Sequence, residues 1–205
     1  MDYEPREFLV DHFMDEKVED ALYDITFGSD EWNLLDAGLI TREAANNTMR
    51  EKGVAMHRAF EVNVILDDWY DMLRTKEDTV QLMKRLKSRG YGLYYLSNIP
   101  WDVYGMLQQR RFWKYFDGGI ASCQIQLTKP DHRIYQVLLR RYALSATECI
   151  FVDDNPTNVQ AAAARDITGI RFTGARALQR ALRDCGVDSE KKSRIRPAPA
   201  EPAPK

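Results

Sequence analysis

Phe151-Val152-Asp153-Asp154-Asn155-Pro156 is the stretch from which the rest of the 205-residue chain is read. Two apolar residues run into two adjacent carboxylates, and Asn-Pro then forces a turn. The approach from Cys149 through Val152 reads as a short buried strand. A strand that delivers acids to its C-terminal end is how an open α/β sheet builds a site. Paired carboxylates at such an end suit a hard cation such as Mg2+.

Outward from this stretch, strands and helices alternate. Strand-like runs lie at 91–96 (aromatic), 119–121 (short and weak), 149–153 and 167–172. Between them fall helical patterns. Thr75-Lys76-Glu77-Asp78 has capping-box spacing before Val80, Met83 and Leu86, with Gly90 at the stop position. Trp101 to Arg111 is a second helix. Pro130 can take the first position of a third, which carries Ile134, Val137, Leu138 and Tyr142. Thr157 to Arg165 is an alanine-rich fourth. This alternation predicts an α/β fold with a parallel sheet flanked by helices over residues 75–187.

Residues 1–74 read as helical throughout. Arg6 to Tyr23 has helical apolar spacing, Asp30 can cap a helix that ends at Gly38, and Thr41 can cap the next. Gly53 is expected to stop or kink that helix, and Val54 to Leu73 forms the last one. From Asp188 the chain is charged, then rich in Pro and Ala, so 188–205 is expected to be a disordered tail.

Bulk properties narrow the partners. Net charge is −2 with a pI near 6.0, which argues against a nucleic-acid partner. No apolar run approaches the roughly 18 residues of a membrane span. Met1 to Arg6 is polar and acidic, unlike a secretion signal. Cys123, Cys149 and Cys185 are odd in number and widely spaced, as expected of reduced thiols in the cytoplasm.

Three element boundaries carry residues that could converge. Ser97-Asn98 offers a hydroxyl and backbone N–H groups at a strand end, a contact for an anion. Lys129, in Thr128-Lys129-Pro130-Asp131, places a cation beside a helix start, which suits phosphate. Asp153 and Asp154 suit the metal. Taken singly, these are ordinarily a turn, a solvated lysine, and a helix cap beside an exposed acid. Taken as an ordered set, they describe a phosphate-plus-Mg2+ site. Asp67, in Val62-Asn63-Val64-Ile65-Leu66-Asp67-Asp68, imitates a strand ending in acids, but Trp69 and Tyr70 continue it without a turn. His12, His57 and His132 fall in helical segments without metal spacing, and His57 is retained only as a possible substrate contact.

Leu96-Ser97-Asn98, Thr128-Lys129-Pro130 and Phe151-Val152-Asp153-Asp154-Asn155 together resemble the haloacid dehalogenase-like (HAD) superfamily of hydrolases, over about residues 3–185. Ser97 matches the second motif of that family, Lys129 the third, and Asp153-Asp154 the fourth. The resemblance makes 1–74 a helical cap on an α/β core. Trp32 to Thr41 is similar to the cap of the sugar-phosphatase branch. Two acids at the fourth motif imply a Mg2+-dependent phosphatase acting on a small phosphorylated metabolite, with a sugar phosphate as the expected substrate. In these roles Lys129 and Ser97 are catalytic, Ser97, Asn98 and Lys129 bind phosphate, and Asp154 ligates Mg2+ with Asp153 in support. Trp32, Trp69 and Tyr70 are candidate cap contacts.

The sequence departs from the family at its first motif. Members open with a strand ending in the aspartate that attacks phosphorus, and no Asp-x-Asp occurs in this sequence. The opening, Met1-Asp2-Tyr3-Glu4-Pro5, resembles the residues that follow that motif. By resemblance the missing strand is central, between those at 91–96 and 149–153. The expectation is a late start, and with it no turnover by the chain as it stands. The alternatives are a fragment or a non-catalytic relative that acts as a binding or interaction protein.

Overall fold

The computed structural model describes residues 3–187. The tail expected over 188–205 lies outside the described residues.

Five helices and a 3-10 turn occupy the N-terminal stretch: α1 (Pro5–Phe13), α2 (Glu16–Ile25), α3 (Asp30–Asp36), α4 (Arg42–Ala55), α5 (Ala59–Asp68) and the turn Trp69–Met72. Short polar side chains start three of them. Asp15 accepts from Lys17 N at 3.1 Å, Ser29 from Trp32 N at 3.2 Å, and Thr41 from Ala44 N at 3.1 Å. Each cap satisfies a backbone N–H that the helix itself leaves free. Ser29, not Asp30, therefore caps α3, and Asp30 is the first residue of the helix itself. Gly38 closes α3 at φ +69°, a conformation that favours glycine.

Gly53 neither stops nor kinks α4. It is buried within the helix, and a Cβ added there would stand 2.7 Å from Val62 Cγ2, so its role is to let α4 and α5 touch. The break comes later, at His57, which adopts φ +56° in the turn before α5 rather than lying in a helix.

The rest alternates as expected: α6 (Glu77–Ser88), β1 (Tyr94–Ser97), α7 (Trp101–Gln108), β2 (Gly118–Ala121), α8 (Ser122–Ile125), α9 (His132–Arg141), β3 (Ile150–Asp153), α10 (Pro156–Ala163), β4 (Thr168–Arg171) and α11 (Ala175–Asp184). Several boundaries differ from the sequence reading. Lys76 occupies the N-cap position of α6 and makes no side-chain cap bond, so the Thr75 capping box does not form. Strand β1 starts at Tyr94 rather than Tyr91. Pro130 precedes α9 instead of opening it, and Asp131 caps that helix by accepting from Arg133 N at 2.8 Å.

All the strand pairing is parallel. Strand β1 pairs with β2, setting Ser97 opposite Ala121, and β3 pairs with β4, setting Asp153 opposite Arg171. The result is two separate two-stranded sheets, and the edges of β1 and β3 that the resemblance would set on either side of a further strand carry no ladder among the described residues.

Three apolar clusters hold these elements together. The largest joins Leu9, Leu22, Trp32, Met49, Ile65 and Trp69 of the helical stretch to Val103 and Leu107 of α7 and Ala121 of β2. A second packs Ile120 against Ile134, Tyr135, Ala162 and Ile167, and a third packs α6 through Leu82 against Ile170, Leu178 and Leu182. Each fully buried leucine or isoleucine contributes about 1.5–3 kcal/mol. Helix α11, which sequence patterning did not mark, supplies two such residues to the third cluster.

Candidate active site

The β3 stretch from which the chain was read ends on the most densely bonded carboxylate of the site. Asp153 Oδ2 accepts from Lys129 Nζ at 2.6 Å, and its Oδ1 accepts from Asn155 N at 2.9 Å and Asn158 Nδ2 at 3.0 Å. The lysine and aspartate side chains are 9% and 6% exposed, so this is a buried pair rather than a surface one. The local sequence produces it directly. Asn155 caps α10 by accepting from Thr157 N at 2.9 Å, Pro156 starts the helix, and the first turn swings Asn158 back under Asp153.

Lys129 reaches Asp153 because Asn98 fixes its backbone. Asn98 Nδ2 donates to Lys129 O at 2.9 Å, and Lys129 N donates to Asn98 Oδ1 at 2.7 Å. The end of β1 and the turn before α9 are therefore tied by two bonds. Ser97 closes β1 half-buried, and its hydroxyl has no hydrogen-bond partner among the described residues.

The two adjacent acids differ. Asp154 is exposed, and its carboxylate accepts only from Asn155 N, at 3.1 Å, which leaves Oδ2 free. Asp153 has both oxygens engaged. The described residues contain no cluster of three or more His, Cys, Asp or Glu side chains placed to hold a metal. One free carboxylate fits a Mg2+ that keeps several waters and takes phosphate oxygens, which is how that ion is usually held. Asp154 has the free oxygen this needs, whereas both oxygens of Asp153 already accept hydrogen bonds. Asp153 instead holds the lysine.

The proposed cap residues sit elsewhere than expected. Trp32 and Trp69 are 4% and 2% exposed, and they pack edge to face at 4.9 Å, so both are core residues. Tyr70 is half-buried and donates its hydroxyl to Asp102 Oδ2 at 2.7 Å. His57 lies exposed in its turn. Asn158, Asp36, Arg42 and Asp102 were not singled out from the sequence. Asn158 has a readable signal, since an asparagine one helical turn past a strand-end acid can cap back onto it. Burial pushes the Cys123 thiol up to about 11, which disqualifies it as a nucleophile.

The chain is similar to known proteins in both sequence and fold. The family model described as haloacid dehalogenase-like hydrolase matches residues 9–166. The chain belongs to the haloacid dehalogenase-like hydrolase family. A sesquiterpene phosphatase from Aspergillus oryzae is 36% identical over 112 residues, which is 54% of this chain and 57% of that protein. Flavin mononucleotide hydrolase 1 of Arabidopsis thaliana is 27% identical over 110 residues, 53% of this chain and 44% of that protein. The alignments thus span about half the length of these relatives. In fold, this HAD-like chain is similar to a HAD-family enzyme from Bacteroides thetaiotaomicron, with a TM-score of 0.64 at 19% identity over 87% of this chain and 91% of the other. That enzyme has also been crystallised with magnesium and inorganic phosphate.

Proposed function

We propose that this HAD-like hydrolase is a Mg2+-dependent phosphatase for a small phosphorylated metabolite, with a sugar phosphate as the substrate its cap sequence favours. The observation that supports this most is Lys129 Nζ held 2.6 Å from Asp153 while Asn98 clamps its backbone beside the unpartnered Ser97 hydroxyl. An ammonium carries three N–H donors. One is committed to Asp153, and two remain for phosphoryl oxygens. Ser97 offers a further donor from the end of β1. Asp153 orients the lysine and keeps its charge in the site. Asp154 would hold Mg2+, which offsets charge on the transferring phosphoryl group and orients it.

In this reading phosphoryl transfer passes through an aspartyl-phosphate. Asp153 has both oxygens engaged by three donors, one of them the Lys129 ammonium, so it is a poor nucleophile. On this reading the described residues hold phosphate and metal and do not themselves supply the attacking carboxylate. The engagement of both Asp153 oxygens also favours a second reading, a phosphate-binding protein without turnover. Three unpaired thiols suit the cytoplasm for either.

A p-nitrophenyl phosphate assay with Mg2+ tests the proposal. The 205-residue chain should show no hydrolysis. A form extended at its N-terminus by a strand ending in Asp-x-Gly or Asp-x-Asp should hydrolyse it, and Lys129→Ala or Asp154→Asn should abolish that activity. An inert extended form favours the second reading, and full activity in either variant removes the assigned site.

A further inference from the structure

The seam between the N-terminal helices and α7 holds a charged cluster that the phosphate site does not use. Arg42 opens α4 and donates from Nε to Asp102 Oδ2 at 2.8 Å, the same oxygen that Tyr70 reaches at 2.7 Å. Its guanidinium lies over three rings, with centroids at 5.1 Å (Trp32), 4.8 Å (Trp69) and 5.8 Å (Tyr70). Nη1 and Nη2 of Arg42 are buried and have no acceptor among the described residues. Nearby, Asp36 at the end of α3 also has a carboxyl without a hydrogen-bond partner among the described residues. Burial raises that carboxyl to about 7, with Arg42 and Lys129 opposing the rise and Asp102 adding to it.

The cluster adjoins the phosphate site. Asp36 O accepts from Ser122 Oγ at 2.5 Å, and that hydroxyl accepts from Ile99 N at 2.9 Å, one residue beyond Asn98. The charge of Lys129 reaches Asp36.

Buried donors left without acceptors are destabilising. The guanidinium fork is shaped for two oxygens of a carboxylate or phosphate. The adjacent Asp36 carboxyl makes no hydrogen bond to either nitrogen. We propose that Arg42 reads the non-transferred part of the substrate, selecting phosphorylated molecules that carry a second anionic group, a carboxylate or second phosphate, which docks on Nη1 and Nη2. This rests on the phosphatase reading for the first anion. Docking requires the ends of Arg42 to be uncovered, by movement of the helices that Arg42 and Tyr70 tie to Asp102. The aromatic rings around the guanidinium then keep water from the new pair.

The test titrates inorganic phosphate, ethyl phosphate, phosphoglycolate and malonate into the 205-residue chain with Mg2+, by calorimetry at pH 7. Phosphoglycolate should bind at least about tenfold tighter than ethyl phosphate, the 1.4 kcal/mol of one charge-assisted hydrogen bond. Arg42→Gln should erase that preference and leave inorganic phosphate affinity unchanged. Arg42→Lys, which keeps the charge and loses the fork, should retain only part of it and serves where the glutamine variant does not fold. Equal binding of the two esters, or a preference that survives Arg42→Gln, overturns the proposal. Malonate bound through Arg42 without any phosphate binding would instead remove the phosphatase reading and leave Arg42 as an anion site. No binding by any probe removes both.

Discussion

Removing the Lys129 ammonium should destabilise the chain before it says anything about catalysis. In Lys129→Met, Asp153 keeps its bonds from Asn155 N at 2.9 Å and Asn158 Nδ2 at 3.0 Å but loses the cation at 2.6 Å, in a place where the side chain is 6% exposed. Breaking a buried pair by deleting one partner costs about 3–5 kcal/mol, and the two surviving donors put this case at the lower end. For a domain of this size each kcal/mol moves Tm by roughly 2–4 °C, so a fall of at least about 6 °C is expected. The double variant Lys129→Met with Asp153→Asn removes both charges and keeps the side-chain shape. It should be no less stable than Lys129→Met alone, because a neutral amide does not need the missing cation. Urea unfolding followed by circular dichroism at pH 7 measures Lys129→Met, Asp153→Asn and the double variant. Arg6→Met serves as the control: Arg6 and Asp20 form an ion pair with side chains 63% and 59% exposed, and its loss should not register. The reasoning fails if Lys129→Met costs less than about 1 kcal/mol, the scale of a surface pair. It also fails if the losses from the two single changes simply add.

Other perturbations separate the remaining parts. The Asp36 carboxyl is raised in the folded state to about 7, so its contribution to stability is full below the unfolded value near 4 and is lost as pH rises through about 7. Asp36→Asn should flatten that dependence and make the chain more stable than the parent at pH 8, by at most about 4 kcal/mol, measured by urea unfolding at pH 5 and pH 8. Asp154→Asn should remove the Mg2+ dependence of phosphate binding in calorimetry and change stability by no more than about 0.5 kcal/mol, since Asp154 is exposed. Gly53→Ala sets a helix-propensity gain of about 1 kcal/mol against overpacking of about 1–3 kcal/mol, with the new Cβ 2.7 Å from Val62 Cγ2. The clash should win and lower Tm.

What the sequence disclosed follows the range of the interactions involved. Asp153, Asn155 and Pro156 are legible because a strand end, a cap and a helix start lie within a few residues and obey local rules. Lys129 and Ser97 are legible only as members of an ordered set, since neither pattern alone excludes a turn or a solvated lysine. Arg42 and Asp102 are 60 residues apart, and no periodicity links them. Trp32 and Trp69 are candidate substrate contacts in sequence because they are aromatic residues of the cap segment, yet packing buries both in the core. Helix α11 sets Leu178 and Leu182 opposite Arg176, Arg180 and Arg183 at helical spacing, and the two leucines are buried because β4 and α6 cover them. At Gly53 the sequence is ambiguous, since a glycine that admits a neighbouring helix and one that ends its own look alike.

The phosphate site and the stability of the fold draw on the same bonds. Ser97 ends a strand of one two-stranded sheet and Asp153 ends a strand of the other, and no backbone ladder joins β1 to β3 among the described residues. The connection at this end of the molecule is made by side chains, from Asn98 to the Lys129 backbone by two bonds and from Lys129 Nζ to Asp153 by a third. A site built across two sheets keeps its geometry only while that connection holds. Asn98 is therefore a positioning residue for Lys129. It follows that the site residues should be more rigid than the free strand edges beside them. Any strand that pairs with both β1 and β3 would tighten phosphate binding without touching the ligand, by fixing the distance that Asn98, Lys129 and Asp153 now set alone.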